Sequence, residues 1–177
     1  MAVFAIGRPS AGEYSAAFGG YIARVPESDI LRLLGGQKEE FLTLLSRVGE
    51  ERAGYRYAEG KWSIRQVVGH VIDAERVFGY RAVCIARGEK AHLPSFDENP
   101  YAEAAGSDGV PLAELLREFR SIRESHELMF RHFTRQAWDE RGNAGGHTTT
   151  PRALAYIIVG HARHHAAILS ERYLAPR

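Results

Sequence analysis

The sequence has a single cysteine, Cys84, so no internal disulfide framework can staple it, and a lone thiol of this kind suits a reducing cytoplasm. Its N-terminus, MAVFAIGRPSAG, has neither the basic start nor the apolar run of a secretory signal. Long hydrophobic runs are missing as well. No stretch approaches the length of a membrane span, which excludes an integral helical membrane protein. Charge of either sign is not in excess: 23 Lys and Arg against 22 Asp and Glu leave a net +1. With no basic block and no basic stripe interleaved with aromatics, nucleic acid is not an expected partner. Repeats and low-complexity tracts are absent. What remains is 45% hydrophobic and 25% charged over 177 residues, which predicts one ordinary globular domain over 1–177, with 1–25 as an N-terminal arm.

Four stretches carry helical periodicity, separated by loops rich in Gly, Pro and Asp. The first runs approximately from Glu27 to Glu51, weakened by Gly35 and Gly36 and regaining its rhythm at Phe41, Leu44 and Leu45. The second has the best-marked start. In KWSIRQVV, Ser63 is the cap with Gln66 three residues on, and Trp62 and Val67 stand where a hydrophobic staple pairs them. It is expected to run to about Arg87 and stop at Gly88. The third begins with Pro111 at its first position and runs to about Thr134. The fourth opens with Thr150 as cap and Pro151 behind it, then continues to about Leu174, before Pro176.

Nothing between these helices alternates as a strand. The loop from Gly88 to Val110 is long for a bundle connection; it reads either as a crossover letting two consecutive helices run parallel or as a lid over a site. Four amphipathic helices predict an all-α four-helix bundle.

Histidine is where the sequence departs from the ordinary. Three of its eight histidines, His161, His164 and His165, fall within five positions of the fourth helix. At about 100° per residue, His161 and His165 each lie about 20° from the centre of the face set by Leu154, Ile157, Ile158, Ile168 and Leu169, while His164 lies about 80° away. The i, i+4 pair brings two imidazoles to one side, near enough to share a metal ion. On the second helix, His70 falls at the edge of the stripe formed by Val67, Val71, Ala74, Val77, Phe78 and Ile85, and Asp73 is one turn further along that edge.

Arg81 shares the phase of Val77 and Ala74. A guanidinium there either holds an anionic substrate group or pairs with Asp73 or another buried acid. His126 lies mid-stripe on the third helix, between Ile122 and Phe130. If that helix runs parallel to the second and starts level with it, His126 stands about 12 Å beyond His70 and reads as a core or supporting residue, not a ligand. Cys84 reads as a small core residue.

Three neutral imidazoles from two helices suit a divalent ion such as zinc or nickel and leave coordination positions open, as catalytic sites do. Asp73 could orient a ligand imidazole from behind. Taken singly, each inward histidine has the ordinary reading of a hydrogen-bonded core residue.

The combination KWSIRQVVGHVIDAERVFGYRAVCIARG with LAYIIVGHARHHAAILSERYL downstream resembles the DinB/YfiT-like family of metalloenzymes, over roughly residues 25 to 175. Trp62-Ser63, the Gly69-His70 step and the His-x-x-His-His cluster carry the resemblance. It implies an up-down-down-up bundle, and a divalent metal on His70, His161 and His165. It also implies a small-molecule substrate, since better-characterised relatives are thiol S-transferases and a mycothiol-dependent maleylpyruvate isomerase; dimers are common in the family. The leading expectation is therefore a metal-dependent enzyme acting on a small thiol. Two alternatives stand beside it: a bundle that only stores or senses metal, and a non-catalytic interaction domain with a dry histidine cluster.

Overall fold

The computed structural model describes residues 5–175. Residues 1–4 of the expected arm, and Pro176, lie outside the described residues. The arm begins with two 3-10 turns, Ala11–Glu13 and Ala16–Phe18, and leads into the short helix α1 (Gly19–Ala23). It is folded onto the bundle. Gly160 of the last helix touches the Tyr21 backbone so closely that a methyl group there would run into the Tyr21 carbonyl.

The bundle consists of α2 (Ile30–Leu45), α4 (Ile64–Ala86), α6 (Leu112–Arg131) and α8 (Pro151–Ile168), with a single turn α3 (Glu50–Ala53) between the first two. Helix α2 is shorter than its periodicity suggests. Ser46 closes it with a tight turn, its amide donating to the Thr43 carbonyl (3.3 Å), and Gly49 opens the separate α3 turn. Helix α4 starts where its capping box requires: Ser63 Oγ accepts from the Gln66 amide (3.0 Å) and Gln66 Oε1 accepts from the Ser63 amide (3.1 Å). It ends at Gly88, whose φ of +87° suits the residue after a helix.

Pro111 sits one position ahead of α6, as its cap. Helix α8 has Thr150 Oγ1 accepting from the Ala153 amide (3.1 Å) and Pro151 first in the helix; a wider π-helical turn, Leu169–Tyr173, follows it.

Contacts fix the directions. Ser63 meets Asp108, Glu75 meets Arg123 and Gly79 meets His126, so α4 and α6 run parallel. Gly35 faces Glu127 while Phe41 packs on Phe119, so α2 opposes α6. Tyr173 bonds the Trp62 carbonyl and His161 packs on Phe78, so α8 opposes α4. Each of α2 and α4 packs against both α6 and α8. This is the up-down-down-up bundle, with residues 87–111 as the long crossover that two parallel neighbours require.

A small sheet was not foreseen. β1 (His92–Leu93) pairs in parallel with β2 (Gly142–Ala144), which pairs antiparallel with β3 (His147–Thr149). Gly145 and Gly146, both at positive φ (61° and 83°), make the two-residue turn between β2 and β3. The parallel pair ties the crossover to this hairpin. The crossover also carries α5 (Glu98–Ala104), and α7 (Arg135–Asp139) precedes β2. Among the described residues no helix is long and apolar enough to cross a membrane.

The apolar core falls into two clusters. One gathers Ile30, Leu34, Phe78, Ile85, Phe130 and Leu154–Val159; the other gathers Phe41, Leu45, Ile64, Val68, Phe119 and Leu169. Between them every bundle helix turns polar side chains inward: Gln37 from α2, His70 and Glu75 from α4, Arg123 and His126 from α6, His161 from α8.

Candidate metal centre

In this polar layer α4 and α8 run antiparallel, which brings His70 beside His161 and His165 although 91 positions separate His70 from His161. His70 Nε2 lies 2.9 Å from His161 Nε2, and His165 Nε2 lies 3.1 Å from the same atom. All three ligand nitrogens fall within 4.8 Å of one another. The rings are buried, at 6%, 4% and 8% exposure, and no other hydrogen-bond partner meets the three Nε2 atoms among the described residues.

Aromatic side chains hold the rings in place. Trp62 lies against His70 (4.8 Å between centroids), and Tyr21 and Phe78 meet His161 edge-on at 5.2 and 6.0 Å. The expected staple is thereby altered: Trp62 and Val67 share an apolar cluster, but the indole is turned onto the imidazole.

Burial keeps the triad neutral. It pushes the His70 pKa down to about 4, with His164 adding to the effect and the Glu98 carboxylate opposing it. His161 and His165 are held well below the ordinary histidine value, first by burial and then by neighbouring imidazoles. Three neutral imidazoles turned towards one another can share a hydrogen bond at His161 Nε2, and with their lone pairs aimed inward they are also a metal donor set. Metal–nitrogen bonds of 2.0–2.1 Å at a tetrahedral angle place ligand nitrogens about 3.3 Å apart. The 2.9 and 3.1 Å separations fall a few tenths of an ångström short of this, while the widest, bounded at 4.8 Å, has to close by a small ring movement to match it.

The three rings form one wall of an open cavity of about 420 Å³. The arm contributes Phe18 and Tyr21 to its lining, the crossover contributes Ser95, Phe96 and Glu98, and the hairpin contributes Gly145 and His147. Arg81 and His164 also line it. His164 is half-buried against Tyr21 (5.4 Å) and His165 (5.1 Å), with burial lowering its pKa.

Two further singled-out residues are elsewhere. Asp73 pairs with Arg76 (3.5 Å), off the cavity wall, and burial raises its carboxyl pKa. His126 also stands off the cavity, level with Gly79. That is nine residues, or about 13 Å of helix, beyond His70, and its Nδ1 bonds Glu75 Oε2 (2.9 Å).

Glu75 is the acceptor of a buried network. Arg123 Nε donates to its Oε1 (3.0 Å), the same guanidinium donates to it a second time, and it also reaches the Leu34 carbonyl (3.1 Å) and Gln37 Oε1 (2.5 Å). Burial opposes ionisation of Glu75, but Arg123 and His126 outweigh it and hold the carboxyl below its ordinary pKa. The phase of 71, 75, 78, 82 and of 119, 123, 126, 130 places both charges on apolar stripes, a signal present in the sequence. Tyr21 and Glu98, on the arm and the crossover, gave no such signal.

The DinB superfamily model matches residues 33–169, which takes in the four bundle helices except the first three residues of α2, and all three converging histidines. The chain belongs to the DinB superfamily. Solved structures agree on the fold. YfiT from Bacillus subtilis, reported as "a probable metal-dependent hydrolase with an unusual four-helix bundle topology", superimposes with a TM-score of 0.73 at 19% identity, over 91% of this chain and 92% of that one. A mycothiol-dependent maleylpyruvate isomerase superimposes with a TM-score of 0.67 at 18% identity, over 81% of this chain and 60% of that enzyme. No curated protein matches the sequence. Within the DinB bundle, the polar layer of this chain presents a three-histidine donor set to a ligand-sized cavity.

Proposed function

We propose that this DinB protein is a metal-dependent enzyme acting on a small molecule, with a divalent ion held by His70, His161 and His165. One observation carries the reading: three buried, neutral imidazole nitrogens converge within 4.8 Å at the wall of a cavity of about 420 Å³. A store or sensor of metal needs the nitrogens but not the cavity. The all-imidazole donor set suits zinc or nickel. A divalent ion supplies Lewis acidity there, lowering the pKa of a water or thiol that shares its open position.

The chain's own residues do the rest. Trp62, Tyr21 and Phe78 pack on the imidazoles from the cavity wall and fix their orientations. Glu98 puts a carboxylate on the cavity wall, where it can accept a hydrogen bond from a bound substrate. The substrate is a low-molecular-weight thiol or a partner of one, a reading supported by the mycothiol dependence of the isomerase that shares the fold. In the same reading the protein works in the cytoplasm as a homodimer, which sedimentation of the purified chain checks.

The test is metal analysis of untagged protein after reconstitution with zinc or nickel, followed by turnover assays pairing small thiols with electrophiles. About one equivalent of metal is expected, and none in the His161→Ala/His165→Ala variant. Metal well below one equivalent, or unchanged binding in that variant, defeats the metal reading. Stoichiometric metal with no turnover on any pair defeats the enzyme reading and leaves a metal-storing bundle.

A further inference from the structure

Among the described residues that line the cavity, Arg81 is the buried charge without an ion-pair partner. It is 4% exposed, yet among the described residues no carboxylate forms an ion pair with it. Its guanidinium donates to the Pro94 carbonyl and lies 5.9 Å from the Phe78 ring centre and 6.0 Å from that of Phe96. The other buried arginine, Arg123, is neutralised by Glu75. Asp73, expected as a possible mate for Arg81, is taken by Arg76. A buried cation without a counter-ion is costly unless something supplies the charge.

The position is what the missing charge would need. Arg81 lines the main cavity and also a smaller recess of about 240 Å³ that shares Ser95 and Phe96 with it. It is eleven residues after His70, three turns along the same face of α4. Phe78 stands between the two ends: its ring lies 5.9 Å from the Arg81 guanidinium and 6.0 Å from the His161 ring, so they are within about 12 Å of each other. Glu98, the acid on the cavity wall among the described residues, acts on His70 and Tyr21, while burial alone acts on Arg81.

We infer that Arg81 is the anion receptor of this cavity and that the ligand is a carboxylate whose apolar body lies along Phe78 and Phe96 towards the histidines. A single unneutralised cation with an acid on the same wall fits one negative charge better than the two of a phosphate ester. The inference rests on reading the cavity as a small-molecule site, and it does not require the metal.

The probes are 4-phenylbutanoate, its neutral amide and phenyl phosphate, titrated calorimetrically into metal-free protein. The acid is expected to bind at least tenfold more tightly than the amide and more tightly than the phosphate. Arg81→Gln should erase the preference and Arg81→Lys should keep part of it. Should the glutamine variant not fold, the Arg81 Nε–Hε NMR signal of the wild type decides: it must move on adding the acid. Equal affinities for acid and amide overturn the proposal, as does no binding at tens of millimolar. So do tighter phosphate binding, an acid preference surviving Arg81→Gln, or one seen only after metal is loaded, since the carboxylate would then be on the ion. A protein that takes no metal defeats the preceding section and leaves this result standing.

Discussion

At His70 the direction of the pKa shift fixes how stability depends on pH. The unfolded side chain takes up a proton near 6.5, whereas the buried one resists until about 4. Between those values the unfolded state holds more protons, so acid favours unfolding, and above 6.5 the penalty vanishes. For His70 alone the loss by pH 4 is on the order of 3 kcal/mol. Denaturant midpoints of chelated protein should therefore fall as pH drops from 6.5 towards 4, and a His70→Gln variant should show a visibly flatter profile; parallel profiles would contradict the assigned burial. Glu75 and Arg123 behave differently. Deleting one partner leaves the other charged and buried, so Arg123→Ala should cost about 3–5 kcal/mol in urea unfolding. Helical phase alone reached His161, His165 and His70, because inward imidazoles interrupt otherwise apolar stripes. The same phase places Glu75 and Arg123 inward, but charge of opposite sign on two helices looks like surface until the helices are known to be parallel neighbours.

The helices obey their local signals, and the caps carry measurable energy. Ser63 closes the capping box of α4 and also donates to Asp108 of the turn before α6, so Ser63→Ala should destabilise by about 1–2 kcal/mol, read as a lowered urea midpoint with unchanged slope. Boundaries of α4 were legible to within a residue because Ser63, Gln66 and Gly88 are explicit stops and starts. The three-stranded sheet was not, since two- and three-residue strands are too short to show alternation; only the Gly145-Gly146 pair marks the hairpin. The arm's place in the cavity wall had no signal in the sequence. Its seat depends on Gly160, where a side chain collides with the Tyr21 backbone. Gly160→Ala should displace Tyr21 from His161, lowering metal affinity more than global stability; an equal loss in both would mean the arm is simply part of the core.

For the whole molecule, a ligand that binds only the folded state stabilises it by mass action. Zinc at a hundred times its dissociation constant should add about 2.7 kcal/mol. For a domain of this size that raises the melting temperature by several degrees, reversed by chelator and absent from the His161→Ala/His165→Ala variant. The parallel α4–α6 arrangement and its crossover were expected from loop length and resemblance together, since only a long connection can return the chain to the starting end. The position of the polar layer between two apolar clusters has a kinetic consequence. His70 must wait for a partner 91 positions later, supplied by the last bundle helix. Contacts of that range close slowly because the intervening chain must first be ordered. A growing chain that has not yet emitted α8 holds only one of the three donors. The histidine triad is therefore a checkpoint on assembly: metal uptake during refolding should lag the gain of helical signal and coincide with the docking of α8.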